Sequence, residues 1–199
     1  MDDDVLVWPS ADHAAGSTTS HQHEALRAWV AARGDRRAKR QIVITDQTRH
    51  YRAAAKALAG ASERAIELGS SYGDCLKVLH ARCGGAARGV DISTTAVADA
   101  ARRFPCLADS MEVMDCIHET ERFAALTYGA TLAFVDIGGD RHGDTVVRLI
   151  ASDALQDVPV VVVKSQMLHR AAAAVTAAAS VGPNAAVPTM DVLKPSRSR

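Results

Sequence analysis

The sequence predicts an α/β protein with a doubly wound, mostly parallel sheet and helices on both faces. From residue 41 to residue 180, short apolar stretches of strand character alternate with helical stretches of about ten residues. Such alternation indicates right-handed βαβ units. Continuous apolar runs such as the valines at 160–163 suit strands that are buried on both sides. Polar and glycine-containing residues follow the predicted strands, at the edge where open α/β sheets bind ligands.

Residue type and spacing place the elements along the chain. Residues 9–24 lack apolar periodicity and predict a loop, and 24–40 shows helical spacing that ends in a basic cluster. The first alanine-rich helix has Asp46 or Thr48 as a plausible N-cap. The remaining elements follow from apolar strand-like runs and the helical stretches between them. The predicted strands are 41–45, 64–69, 87–93, 110–116, 131–139 and 158–165, and the predicted helices are 46–60, 75–83, 95–104, 118–129, 144–155 and 166–180.

The composition limits the classes of protein to which the chain can belong. The 199 residues suffice for one sizeable core, and 23 basic against 23 acidic residues give no global electrostatic case for nucleic acid, although a local basic patch stays open. The four cysteines form no C-x-x-C pair, which favours reduced thiols over a disulfide framework or a metal site. The acidic start "MDDDVLVWPS" and the lack of a long apolar run lead us to expect a soluble, cytoplasmic protein without a membrane span.

The predicted strand ends contain four groups of acidic residues. Each carboxylate could simply cap the following helix. Four carboxylates at neighbouring strand ends repel one another, however, and this favours a site that binds a ligand. The strand-end residues are Glu67, Gly69, Ser70, Ser71, Tyr72 and Gly73 at the end of the strand at 64–69, Asp91 at the end of 87–93, Asp115 at the end of 110–116, Asp136, Gly138, Gly139 and Asp140 at the end of 131–139, and Lys164 and Ser165 at the end of 158–165.

The glycine-containing loop after the strand at 64–69 decides which cofactor the strand ends suit. A dinucleotide loop requires G-x-G-x-x-G. Counted from Gly69, the second and third glycines are replaced by Ser71 and Asp74, and Asp74 would place a negative charge beside the pyrophosphate. No G-K-[ST] follows either, so the P-loop pattern fails.

The segment "ELGSSYG" instead resembles motif I of the class I S-adenosylmethionine-dependent methyltransferases, which have a Rossmann-like fold. The resemblance continues in "GVDIS", where Asp91 matches the residue that holds the ribose hydroxyls, in "VMDC", where Asp115 lies beside the adenine, and in "AFVDIGG" at the active-site mouth. It implies S-adenosyl-L-methionine as cofactor and a methyltransferase-like domain over 46–181, between an extension at 1–45 and a tail at 182–199. The cofactor-binding residues that it implies are Glu67, Gly69, Ser70, Ser71, Tyr72, Gly73, Asp91, Ile92, Asp115 and Cys116.

Two features depart from the family pattern. Ser71 replaces the central glycine of motif I, which crowds the loop. The family's C-terminal β-hairpin has no counterpart, which would leave the strand at 158–165 as an exposed apolar edge. We expect Val5 to Trp8, Gln41 to Thr45, or a second subunit to cover that edge.

The resemblance also suggests reaction classes. Asp136 and Lys164 match the catalytic Asp and Lys of fibrillarin-like RNA ribose 2'-O-methyltransferases, with Arg49, Arg52 or Lys56 in place of a further lysine. Asp136 with Asp140 would instead resemble the magnesium loop of small-molecule O-methyltransferases, although the partner Asp-Asn pair of that loop is absent and no metal site is predicted. The absence of D-P-P-[YF] weighs against a nitrogen acceptor.

The substrate class therefore stays open. "FVDIGGDR" and "VVVKS" are most similar to uncharacterised eukaryotic methyltransferase-like proteins. We predict a methyltransferase of unknown acceptor, favouring O-methylation of an RNA ribose or a small molecule. The alternatives are a non-catalytic methyltransferase-like module in a larger assembly and a dinucleotide-dependent reductase.

Overall fold

A wholly parallel sheet of seven strands organises the chain. The computed structural model describes residues 3–8, 19–32, 39–138 and 143–180. The strands are β1 (Asp4–Val7), β2 (Gln41–Thr45), β3 (Ala65–Leu68), β4 (Ala87–Asp91), β5 (Met111–Val113), β6 (Leu132–Val135) and β7 (Val160–Lys164). They lie in the order β1-β2-β7-β6-β3-β4-β5, and every neighbouring pair is parallel.

The direction of strand addition reverses between β3 and β6. From β3 the chain adds β4 and β5 on one side, and it then returns to place β6 and β7 on the other side. Leu68 lies opposite Val90 of β4 and Val135 of β6, so the three strands end at the same level. The carboxyl ends of β3 and β6 therefore form the switch point at which sheets of this kind bind ligands.

Helices cover both faces of the sheet, and the predicted doubly wound α/β fold is confirmed. Alternate residues of each strand point to opposite faces, so Val160 and Val162 pack into one core and Val161 and Val163 into the other. The first core includes α1, α2 and α3, and the second includes α5, α6 and α7. The helices are α1 (Thr19–Ala32), α2 (Thr48–Leu58), α3 (Asp74–Arg82), α4 (Thr94–Arg103), α5 (Thr120–Thr127), α6 (Gly143–Ile150), α7 (Asp153–Gln156) and α8 (Gln166–Ser180).

The apolar strand β7 is paired on both sides within the chain. Gln41–Thr45 pairs with it in register and β6 lies on its other side, which confirms one of the three expected ways of covering this edge. β1 adds beyond β2 and becomes the sheet edge. The buried Arg40 fixes this N-terminal part, because its guanidinium pairs with Asp3 and donates to the Ile150 carbonyl at 2.7 Å. A second subunit is therefore not needed to cover β7.

Three sequence predictions about element ends were wrong. Helix α1 begins at Thr19, so the predicted loop does not include 19–24; residues 9–18 and 33–38 lie outside the described residues. The N-cap of α2 is Gln47, with an extended backbone, rather than Asp46 or Thr48, and the Asp46 carboxylate bonds instead to His50 at 2.6 Å. The predicted helix at 144–155 is broken by Ser152, whose extended backbone ends one helix and begins the next.

All four cysteines are free thiols. Within the described ranges, no helix combines the length and the apolar character that a membrane span requires.

Candidate functional site

The ends of β3 and β6 touch at Gly69 and Asp136. The Asp136 N–H donates to the Leu68 carbonyl at 2.8 Å, which continues the sheet ladder to this point. Gly69 has a φ of +79°, and a Cβ at this position would lie 2.2 Å from the Asp136 carbonyl oxygen. Only glycine combines this backbone conformation with such a close approach. The contact divides the edge of the sheet into two cavities that share Gly69 and Asp136.

The first cavity, called here the apolar cavity, has a volume of about 170 Å³ and lies over β4 and β5. Ile92 is 55% exposed although it is a large apolar side chain, and buried Met114 forms part of the opposite wall. Burial raises the pKa of the Cys116 thiol to about 12, so this side chain stays neutral. The cavity is lined by Gly69, Val90, Asp91, Ile92, Met114, Asp115, Cys116, Ile117, Asp136, Ile137, Gly138 and Leu149.

Asp91 presents an ordered carboxylate to the apolar cavity. Its Oδ2 accepts the Ser71 N–H and its Oδ1 accepts the Ser93 N–H, both at 2.8 Å. Each oxygen keeps a second lone pair, which can accept a hydroxyl proton. The N-cap of α4 is Ser93, whose hydroxyl accepts the Ala96 N–H. Helix capping therefore does not explain Asp91.

Asp115 is the second carboxylate of the apolar cavity. Partial burial acts to raise its pKa, but hydrogen bonds from His118 and from the Ile117 N–H outweigh this effect, and the pKa lies below its ordinary value. Asp115 is therefore ionised at neutral pH. The N-cap of the following helix is Glu119, so capping does not explain Asp115 either.

The second cavity, called here the charged cavity, has a volume of about 240 Å³ and lies between β3, β7 and the first turns of α2 and α3. Lys164 Nζ lies 2.6 Å from Asp136 Oδ2, and Arg52 Nη2 lies 3.3 Å from Asp74 Oδ2. The lining residues are Thr48, Tyr51, Arg52, Glu67, Gly69, Ser70, Ser71, Tyr72, Asp74, Cys75, Asp136 and Lys164.

Glu67 has a different environment from the other carboxylates. Its side chain is 2% exposed, and Oε2 has no hydrogen-bond partner among the described residues. Burial raises the pKa of Glu67 to about 8, and the negative charge of Asp136 adds to this effect, while the nearby Cys75 thiol opposes it. Glu67 is therefore mostly protonated at pH 7 in this structure.

The loop after β3 uses most of its amides internally. The N–H groups of Gly69 and Ser70 donate to the Val90 carbonyl, that of Ser71 donates to Asp91, and that of Gly73 donates to the Ser70 carbonyl. These amides are not free to surround a phosphate. Ser71 has a φ of +48°, so it takes the left-handed conformation that a glycine would adopt at this position.

The structure brings most predicted site residues to one or both cavities, but Gly73 lines neither. A Cβ on Gly73 would lie 3.0 Å from Leu107, and its φ of +75° allows the turn into α3, so its visible role is structural. Gly139 and Asp140 lie outside the described residues. The structure therefore does not test the magnesium alternative that involves Asp140.

Several lining residues were not singled out from the sequence as cofactor-binding. Thr48, Tyr51 and Arg52 come from α2 at helical spacing, so they lie on one face of that helix. Of the three basic residues considered in this helix, Arg52 alone lines the cavity. The i, i+3, i+4 spacing was the available signal, but nothing in the sequence showed that this face lies over the end of β3.

A wider groove of about 850 Å³ lies between α5 and the α6–α7 pair. It shares Cys116, Ile117 and Leu149 with the apolar cavity, but it lies beside the strand ends rather than over them. The carboxylates at the strand ends make the two smaller cavities the stronger candidate site.

No protein-family model matches the chain, and neither a curated protein nor a solved structure is significantly similar to it.

Proposed function

We propose that the chain is an S-adenosylmethionine-dependent methyltransferase. The observation that supports this proposal is the pair of cavities that meet at the contact between Gly69 and Asp136. One cavity suits a nucleoside, because it combines apolar walls with the carboxylate acceptors of Asp91 and Asp115. The other suits a charged amino acid group. An adenosyl amino acid has both parts joined without a phosphate.

The apolar cavity would hold the adenosine. Asp91 would accept the two vicinal ribose hydroxyls, since a carboxylate forms strong hydrogen bonds with such donors. Asp115 would accept from the adenine amino group. The exposed side chain of Ile92 and the buried side chain of Met114 would contact the ring and lose apolar surface to water on binding.

The charged cavity would hold the amino acid group. Glu67 lies buried without a positive partner among the described residues and would face the ammonium. The Nε atom of Arg52 is buried and likewise has no hydrogen-bond partner in the described part of the chain, and it would donate to the carboxylate. The orphaned acceptor and the orphaned donor thus match the two charges of an amino acid.

A dinucleotide suits the site less well. Four amides of the loop after β3 already have internal acceptors, and Asp74 occupies the first turn of the next helix. A pyrophosphate would meet a carboxylate there instead of free N–H groups. These contacts disfavour a dinucleotide-dependent reductase.

The bound cofactor would supply a methyl group on a sulfonium. In this proposal the ion pair of Asp136 and Lys164 orients a hydroxyl of the acceptor at the rim of the charged cavity. Asp136 accepts the hydroxyl proton, and Lys164 donates to the same oxygen. Holding the two reactants together and excluding water would account for most of the rate enhancement. The acceptor is an RNA ribose or a small molecule with a hydroxyl group.

Calorimetric titration with S-adenosylmethionine tests the binding step. We expect Asp91→Ala to weaken binding by about 10- to 100-fold, because it removes a charged acceptor of hydrogen bonds. Asp99→Ala is the matched control, since Asp99 lies on α4 outside both cavities and pairs with Arg102. Asp91→Asn keeps the shape of the side chain if the alanine variant unfolds. Equal binding of NAD, or no binding of S-adenosylmethionine, would contradict the proposal.

Methyl transfer separates the enzyme from a non-catalytic module. The protein is incubated with cofactor that carries a tritiated methyl group and with RNA or small-molecule fractions of a cell extract. We expect label in one fraction, and its loss in Lys164→Ala with cofactor binding retained. Tight binding without transfer to any fraction would instead favour the non-catalytic alternative.

A further inference from the structure

The charged cavity holds more negative than positive groups. Among the described residues that line it there are three carboxylates, Glu67, Asp74 and Asp136, and two cations, Arg52 and Lys164. Lys164 pairs with Asp136 at 2.6 Å, and Arg52 pairs with Asp74 at 3.3 Å. Glu67 is the carboxylate left without a cation.

Among the described residues, the side chains around Glu67 form no ion pair with it. The Tyr51 hydroxyl is also buried and has no hydrogen-bond partner within the described ranges, and burial raises its pKa well above the ordinary value. Burial likewise raises the pKa of the Cys75 thiol, so neither group adds a charge. The titratable groups around Glu67 are Tyr51 and Arg52 from α2, Asp74 and Cys75 from α3, Asp136 after β6 and Lys164 at the end of β7.

We propose that Glu67 is protonated when no cation lies beside it and releases its proton when the ammonium group of a ligand binds there, so that ligand binding is coupled to proton release. This inference rests on the proposed function, because it takes the amino acid group of the cofactor as the ligand. An opposite charge within about 4–6 Å stabilises an ionised carboxylate. Because Glu67 is 2% exposed, water screens this attraction only weakly.

The coupling determines how affinity depends on pH. Glu67 has a pKa of about 8 in this structure. Below about pH 7 the ligand's ammonium is present and Glu67 is protonated, so binding releases one proton and affinity rises about tenfold per pH unit. Above about pH 8 Glu67 is already ionised before the ligand binds, so binding no longer releases a proton from it. Affinity should therefore rise with pH up to about pH 8 and then rise no further.

Calorimetry in two buffers of different ionisation enthalpy measures the number of protons released. S-adenosylhomocysteine carries the ammonium group without a reactive methyl, and 5'-methylthioadenosine lacks the amino acid group. We expect S-adenosylhomocysteine to release about one proton at pH 6.5 and to bind about tenfold more weakly at pH 6 than at pH 7. 5'-Methylthioadenosine should bind without proton release at the same pH.

Two variants locate the proton. Glu67→Gln should bind S-adenosylhomocysteine without proton release and with equal affinity at pH 6 and pH 7. Glu63→Gln, at the opposite end of β3, should behave as the wild type. Binding by the wild type without proton release, or unchanged release in Glu67→Gln, would overturn the inference and leave the proposed function standing. Failure of both nucleosides to bind at every pH would overturn the proposed function, and the inference with it.

Discussion

The two cavities differ in how their carboxylates are held. In the apolar cavity, Asp91 and Asp115 each accept a backbone N–H from the residue two positions later, because the chain turns just after each carboxylate. In the charged cavity, Glu67 lies within β3, where its own amide belongs to the sheet and no turn brings another amide to its side chain. Glu67 and Asp115 therefore have different charges at neutral pH.

This difference gives the two cavities different kinds of hydrogen-bond acceptor, because Asp115 is ionised at neutral pH and Glu67 is mostly protonated. Asp115 stays ionised whether or not a ligand is present, which suits neutral hydroxyl and amino donors. Glu67 is mostly protonated at pH 7 in this structure, and we infer that a bound cation ionises it. Under the proposed function, the apolar cavity recognises hydrogen-bond donors and the charged cavity recognises positive charge.

Gly69→Ala disrupts the contact that separates the two cavities, and we expect it to have the largest effect on stability. The new Cβ would lie 2.2 Å from the carbonyl oxygen of Asp136 and 2.7 Å from its carbonyl carbon, and the φ of +79° is strained for alanine. Both neighbours are backbone atoms that the sheet holds in place. We expect the free energy of unfolding to fall by about 3–5 kcal/mol, measured by urea denaturation.

Gly60→Ala is the matched control for this substitution. A Cβ on Gly60 would have no atom within 4 Å, so we expect a change within about 0.5 kcal/mol. If the two variants lost equal stability, the close contact between β3 and β6 would not be the boundary described above.

Glu67→Gln tests the conditional charge through the pH dependence of stability. The pKa of Glu67 is raised from 4.5 to about 8, so the folded chain keeps a proton that the unfolded chain loses above pH 4.5. The contribution of this bound proton to the free energy of unfolding is fully present below pH 4.5. It is lost as the pH rises to about 8, at up to about 1.4 kcal/mol per pH unit. Between pH 5 and pH 8 the wild type should therefore lose about 3 kcal/mol relative to Glu67→Gln in urea denaturation.

Asp115→Asn should change the pH dependence of stability in the opposite direction to Glu67→Gln. Because the pKa of Asp115 is lowered, its contribution to stability is present above the unfolded-state pKa and is lost as the pH falls. The wild type should thus lose stability relative to Asp115→Asn in acid and keep it between pH 5 and pH 8. The same sign for both variants would remove the distinction between the two cavities.

The sheet could be predicted from the sequence because the residues of each strand are themselves typical of buried strands. The valines of β7 and the alternation of strand-like with helical segments require a buried parallel sheet whichever residues surround them. The partner of β7 was less certain, since Gln41–Thr45 and Val5–Trp8 are both short apolar runs. Tertiary contacts such as the bonds of Arg40 to α6 and α7 decide between them.

The charge state of the site could not be predicted in the same way. Glu67, Asp91 and Asp115 all appear in sequence as acidic residues at strand ends. Their difference depends on the local turns and on the side chains that α2 and α3 place above β3, which are contacts between distant segments. The pattern therefore located the carboxylates, but their environments raised the pKa of Glu67 and lowered that of Asp115.

Ser71→Gly should have the smallest effect, although Ser71 links the two cavities. Its side chain lines the charged cavity, and its N–H bonds to Asp91 of the apolar cavity. The φ of +48° costs a serine about 1 kcal/mol, but glycine gains more entropy on unfolding. We expect a gain of about 0.5 kcal/mol in urea denaturation and less than a threefold change in S-adenosylmethionine affinity, because the backbone bond remains.

Ser71→Ala separates the backbone from the side chain at this position. Alanine keeps the strain and removes the hydroxyl, so its stability should match that of the wild type, because Ser71 is exposed. An increase in affinity of more than tenfold in Ser71→Gly would mean that the serine crowds the ligand. Affinity that stays constant across serine, alanine and glycine would mean that the loop binds through its backbone, so that the missing glycine of motif I does not weaken the site.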